Sequence, residues 1–216
     1  MKHKAFWAEF LGTYALVFFG TGAIIINQVS NGSLGHLGIA AAFGIVVTVM
    51  IYSFGSVSGA HINPAVSWAF YSVEKGIHSS KQLGAYMFAQ LMGGLVASGS
   101  LFLLFPNSPT MGQTNPSGTI IQSFLLEIIL TFFLMLVILL VSQNQKTKSY
   151  TAIAVGAIVF LEALVAGPIC GASMNPVRSI APALFVGDLD HLWLYISAPI
   201  IGSLFAGRVW KLFNRQ

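Results

Sequence analysis

Six long apolar runs, each near the thickness of a lipid hydrocarbon core, set the limits on what this chain can fold into. They cover approximately residues 5–27, 37–54, 83–105, 120–141, 150–165 and 192–212. A bilayer core is crossed by ~20 helical residues, and inside lipid every backbone N–H and C=O must be paired within the spanning structure. The runs therefore predict six transmembrane helices, the fifth being the shortest. Composition points the same way. Only 7% of the 216 residues are Asp, Glu, Lys or Arg and 56% are hydrophobic, whereas soluble domains carry about 25% charged residues.

The basic balance, ten Lys and Arg against six Asp and Glu, does not point to nucleic acid. Lys2, Lys4, Lys75, Lys81, Lys146, Lys148, Arg208, Lys211 and Arg215 all flank apolar runs, and Arg178 stands apart. With the amino terminus inside, segments 1–4, 72–82, 142–149 and 208–216 hold every basic residue except Arg178. The opposite segments, 28–36, 106–119 and 186–191, hold no Lys or Arg, only Asp188 and Asp190. Lys and Arg bias sets orientation, so both termini are expected on the cytoplasmic side of the cell membrane. Met1-Lys2-His3-Lys4 imitates the start of a signal peptide. The following run, however, continues to about Ile26, contains Glu9 and lacks a clear cleavage site, so a retained first span is expected. The single Cys170 excludes an intramolecular disulfide, and no metal or cofactor is expected.

Two segments fit no full span. Each begins with a box, Gly59-Ala60-His61-Ile62-Asn63-Pro64-Ala65-Val66 or Gly171-Ala172-Ser173-Met174-Asn175-Pro176-Val177-Arg178, and continues as an apolar run to about residue 73 or 185. About eleven residues at 1.5 Å rise reach ~16 Å, half the core, so these are half-helices. The two boxes mark an internal repeat over about 5–105 and 120–212. Glu9 opens the first span as Glu127 opens the fourth, and the stretch from Tyr86 to Gly93 matches that from Tyr195 to Gly202. Three spans per repeat, an odd number, invert the second copy in the membrane. The half-helices then enter from opposite faces and their amino termini meet near the midplane.

Each box has a physical task. Pro64 and Pro176 suit a first helical turn, where their missing N–H costs nothing. Asn63 and Asn175 suit the cap position, holding the turn through a side-chain oxygen and offering NH2 donors to the lumen. The preceding Gly59, Ala60, His61 and Ile62, with Gly171, Ala172, Ser173 and Met174, are expected to run extended and line a pore with backbone carbonyls. Two helix amino termini at the centre place partial positive charge there, which disfavours cations while neutral solutes pass.

Paired Asn-Pro boxes in inverted half-helices, with Arg178 three residues after the second Asn, resemble the aquaporin-like (major intrinsic protein) family over almost the whole chain. Asn63-Pro64-Ala65 is the family's box; Asn175-Pro176-Val177 departs from it at the third position. The resemblance implies an all-α membrane fold of six transmembrane helices and two re-entrant half-helices in an inverted repeat. It implies one channel domain over 1–216, embedded in the lipid bilayer as a homotetramer and passing water and small neutral solutes. It implies no enzyme activity and no catalytic residues. Counting from the boxes, the family's filter positions are Phe43, Ala163, Ala172 and Arg178. Strict water channels carry His where this chain has Ala163. Ala163 and Ala172 together imply a wider, amphipathic ring. The run from Glu162 to Ser179 looks most like the nodulin-like intrinsic proteins and their bacterial aquaglyceroporin relatives. Their typical cargo is glycerol and neutral metalloid hydroxides such as arsenous, boric and silicic acid; Phe43 departs from their Trp or smaller residue. A water-selective pore and a proton-coupled transporter are the competing readings.

In the family, carboxylates at the positions of Glu9 and Glu127 brace the loops before the half-helices. Glu162 has no repeat partner; it either faces the pore mouth or hydrogen-bonds the turn around Gly167 and Gly171. The His61 ring is either packed or a pH-sensitive gate, and Cys170 is placed where a mercurial would block. Ser173 has no His or Asp placed to activate it. Asn31-Gly32-Ser33 is a glycosylation triplet on an outer loop. Small residues Gly12, Gly20, Gly93, Gly94, Ser98, Gly202 and Ala206 mark close helix contacts.

Overall fold

A computed structural model describes residues 2–213, so Met1 and residues 214–216, Arg215 among them, lie outside the described residues. The chain forms eight α-helices among those residues: α1 (Lys2–Val29), α2 (Gly35–Ser58), α3 (Pro64–Ser72), α4 (Ser80–Leu104), α5 (Ile120–Ser142), α6 (Thr151–Cys170), α7 (Pro176–Val186) and α8 (Leu192–Phe213). Six are long and apolar enough to cross a membrane, and α3 and α7 are the half-length pair. Starts and stops follow local chemistry. Ser79 and Thr119 cap α4 and α5 by accepting from the amides of Gln82 and Gln122. Gly59 and Gly171 end α2 and α6 in the left-handed conformation.

The side chains are distributed inside out. Phe19, Ile45, Leu103, Ile121 and Val165 stand exposed, while Glu9, Gln90, Glu127 and Arg178 are buried. That is the arrangement lipid demands, because the apolar surface faces hydrocarbon and these four polar side chains each hydrogen-bond within the protein.

Packing repeats with the sequence. α1 packs on α2 and α4 as α5 packs on α6 and α8. Each half-helix also touches the long helix that closes the other repeat, α3 with α8 and α7 with α4. Gly93 of α4 lies against the Phe10 carbonyl, and its repeat mate Gly202 of α8 lies against the Ile128 carbonyl, so closely that a Cβ fits at neither. The α2–α6 crossing is also close, and here glycine meets glycine. A Cβ on Gly44 would sit 2.7 Å from the Gly156 carbonyl oxygen, and one on Gly156 would sit 2.6 Å from that of Gly44. Gly44 and Gly156 are repeat-equivalent, so this contact lies on the pseudo-twofold axis.

The fifth span departs from the sequence expectation. It continues past residue 165 through Pro168 to Cys170. Proline removes the hydrogen bond to the carbonyl four residues back, which is that of Leu164. His36 Nε2 donates to that carbonyl at 2.8 Å, so the helix runs on without an orphaned acceptor.

Candidate pore and its two Asn-Pro boxes

The site is built from two loops that turn back into the bundle and are held by buried carboxylates. Glu9 accepts from the amides of His61 (2.9 Å) and Ile62 (2.7 Å), from Ser58 Oγ (2.6 Å) and from Gln90 Nε2 (2.7 Å). Glu127 accepts from the amides of Ser173 (2.7 Å) and Met174 (2.8 Å). Tyr86 donates its hydroxyl to the Ser58 carbonyl at 2.8 Å, and Tyr195 donates to that of Cys170 at 2.7 Å. Between these ties the backbone alternates. Ala60 and Ile62 take φ of 46° and 45°, Ala172 and Met174 of 42° and 54°. Left-handed φ is costly at non-glycine residues and persists only where the surroundings impose it. Here the carboxylate and tyrosine bonds do so.

The half-helices start where the sequence places them. Asn63 Oδ1 accepts from the Ala65 amide at 2.9 Å and Asn175 Oδ1 from the Val177 amide at 3.1 Å, with Pro64 and Pro176 in the first turn. The amide nitrogens do more than expected. Asn63 Nδ2 donates to the Met174 carbonyl at 2.7 Å, and Asn175 Nδ2 donates to the Ile62 carbonyl at 2.9 Å. Each NH2 therefore spends one of its two N–H groups on the opposite loop and keeps one. The Ile62 and Met174 carbonyls, expected to face solute, are engaged by these bonds. Ile62 and Met174 still line the narrow cavity beside Gly59, Ala60, His61, Ala172 and Ser173, and a carbonyl that accepts one bond keeps a second lone pair.

Two cavities meet beside the boxes. A narrow one, of about 90 Å³, runs from Ser142 and Thr151 past Asn63 and Asn175 to Phe43, Ala172 and Arg178. A wider one, of about 530 Å³, opens from those same three residues and Ala163 towards Gln28, Thr110 and Gln113 on the opposite face. Phe43, Ala172 and Arg178 line both. Arg178 Nη1 donates to the Gly112 carbonyl at 2.8 Å, and its guanidinium carbon lies 5.2 Å from the centre of the Phe43 ring. Behind Arg178, the hydroxyls of Ser173, Ser179 and Thr114 form a chain with 2.6 and 2.7 Å links.

These observations decide an assignment. The major intrinsic protein family matches residues 1–210. The chain belongs to the major intrinsic protein family. Members similar to it include Aquaporin NIP1-1 of Zea mays, 42% identical over 96% of this chain and 73% of that protein. Nodulin-26 of Glycine max is 40% identical over 95% and 76%. The X-ray structure of the aquaglyceroporin from Plasmodium falciparum superposes with a TM-score of 0.87 at 27% identity, covering 97% of this chain and 96% of that one. The fold is thus the six-helix, two-half-helix inverted repeat of this family, in an integral multi-pass membrane protein.

Some site residues behave differently from the sequence expectation, and His61 takes the packed alternative of its two. Glu162 lines neither cavity, and neither of its buried carboxyl oxygens has a hydrogen-bond partner, so it does not tie the Gly167–Gly171 turn. Cys170 is buried, its Sγ 3.5 Å from the Ala166 carbonyl, and lines neither cavity, so a mercurial has no open approach to it. The His61 ring is packed, stacked on Phe70 at 4.5 Å with Nδ1 3.1 Å from Ser67 Oγ. Gln90, Tyr86, Tyr195, Gly112 and Thr114 were not legible as site residues. Only the matching Tyr86 and Tyr195 of the repeat carried a signal.

Proposed function

We propose that this chain is a passive channel for water and small uncharged solutes, and not an enzyme. The observation that carries the reading is the pair of cross-bonded asparagines beside two cavities that share Phe43, Ala172 and Arg178 as lining residues. Asn63 and Asn175 supply donors, the loop carbonyls supply acceptors, and the remaining wall is apolar. A neutral molecule trades its hydration for these contacts, whereas an ion finds no equivalent replacement. The relatives, an aquaporin and an aquaglyceroporin among them, support the same reading.

In this proposal Phe43, Ala163, Ala172 and Arg178 form the selectivity filter. Arg178 offers donors on one side, and Phe43 with two alanines offers an apolar, roomy face on the other. That suits molecules with hydroxyls along one edge and carbon along the other: glycerol-like polyols, and by similar size neutral metalloid hydroxides. The channel acts as one domain over 1–216 in a homotetramer, with both termini on the cytoplasmic side of the cell membrane, following the basic connections. A proton-coupled carrier needs a titrating carboxylate on the path, and Glu162, the candidate, lines neither cavity.

The test is swelling of proteoliposomes under water and glycerol gradients, with and without a proton gradient. Water and glycerol flux independent of the proton gradient is expected. Normal water flux without glycerol flux would replace this reading with a water-selective pore.

A further inference from the structure

The inverted repeat does more than build one ring. Around the boxes, residues 112 apart are structural mates: Ser58 and Cys170 both accept a tyrosine hydroxyl. Ala60 and Ala172 share a left-handed φ, and Gly44 touches Gly156 across the axis. The same offset carries Phe43 to Val155, Ala163 to Ile51, Ala172 to Ala60 and Arg178 to Val66. All four images line the narrow cavity on the side of the basic connections.

Resting on the channel reading above, we infer that Ile51, Ala60, Val66 and Val155 form a second selectivity ring, free of charge, on the inner side of the boxes. Its chemistry inverts that of the outer ring. Val66 stands where the outer ring has a guanidinium, so no side chain here donates or accepts a hydrogen bond. Ile51 stands where the outer ring has Ala163, so the bulk comes from a different wall. A solute polar on every side loses water at this ring and regains at most the backbone carbonyl of Ala60, a cost that hydrogen-bonding side chains would relieve. A narrow apolar ring also resists wetting by hydrated ions. The outer ring thus selects by charge and hydrogen bonding, the inner ring by width and by whether the solute has an apolar edge. Glycerol has such an edge; urea does not.

The experiment is stopped-flow light scattering on proteoliposomes of the purified full chain, measuring water, glycerol, urea and a five-carbon polyol. Ile51→Ala removes three carbons from the ring and is expected to raise the ratio of five-carbon polyol to glycerol flux by about tenfold or more, since one methylene's worth of room already gives that order at a fitted site. Val66→Thr and Val155→Thr keep the shape and add a hydroxyl, and each is expected to raise urea relative to glycerol several-fold. If Ile51→Ala does not fold, the two threonine variants decide. Wild-type flux that includes water and glycerol, with wild-type ratios in every folded variant, overturns the ring while leaving the channel reading standing. Wild-type vesicles that pass neither solute overturn both.

Discussion

Arg178 holds its guanidinium carbon 5.2 Å from the centre of the Phe43 ring while Nη1 donates to the Gly112 carbonyl. One residue thus reads three distant parts of the chain: α2, α7 and the connection before α5. A buried cation pinned between an aromatic face and a carbonyl is a fixed charge at the junction of two cavities, felt strongly because little solvent screens it. Arg178→Ala is expected to raise proton or small-cation leak by about tenfold or more, equal to ~1.4 kcal/mol of barrier, with neutral flux retained. Pyranine-loaded proteoliposomes under a pH step check this; unchanged leak in a folded variant assigns the whole barrier to the half-helix termini.

Ala163 shares the outer cavity with Phe43 and Arg178. Ala163→His fills that space with an imidazole, so glycerol flux should fall much more than water flux. Ala166→His is the contrast: Ala166 is buried in the apolar core and lines neither cavity, so that variant is expected to lose folded protein. Paired water and glycerol shrinkage rates for Ala163→His decide the point, and an equal fall in both removes Ala163 from the filter.

Glu127 uses both carboxylate oxygens, one for the Ser173 amide and one for the Met174 amide. In Glu127→Gln one oxygen becomes an NH2 facing an N–H, leaving a buried donor unpaired at a cost of ~1–3 kcal/mol. Glu9→Gln should cost at least as much, because Glu9 accepts four bonds. Thermal unfolding in detergent should show both melting earlier than wild type, and an unshifted melting temperature for either would remove that bracing role.

Gly44→Ala places a methyl 2.7 Å from the Gly156 carbonyl oxygen and 2.6 Å from Phe160 Cβ. Since backbone lies on one side, α2 and α6 must separate, with an overpacking cost of ~1–3 kcal/mol or more. Reduced yield and earlier unfolding are expected. Wild-type stability in Gly44→Ala would mean that the crossing has slack.

Asp188, part-exposed beyond α7, is held below its ordinary carboxyl value of 3.8 by the Asp190 amide first and then by the amides of Asn115 and Gln113. A lowered folded value means that the ionised form ties down the connection before α5. The tie is therefore complete above that ordinary value and is lost as the pH falls through the lower folded value. Hydrogen exchange across residues 108–116 should be flat between pH 5 and 8, after correction for the intrinsic rate, and should rise only at stronger acidity or in Asp188→Asn.

Much of this protein is written locally. Apolar length specifies the six spans. Asn-Pro at the head of a half-length run specifies the re-entrant segments, because a cap and a first-turn proline act on their own neighbours. Duplication then implies that the two amino termini face one another. Tertiary structure alone decided who bonds to whom. Asn63 reaches the Met174 carbonyl 111 residues away and Asn175 the Ile62 carbonyl 113 residues away, so each box is bonded to the opposite loop. His36 reaches the Leu164 carbonyl 128 residues away, which lets α6 outlast its proline. Glu162, one residue from Ala163, lines neither cavity and finds no partner. Periodicity reports which residues share a helix face, but the rotation of that face and the carbonyl opposite it follow from close packing at contacts such as Gly44 on Gly156, between residues that local sequence never brings together.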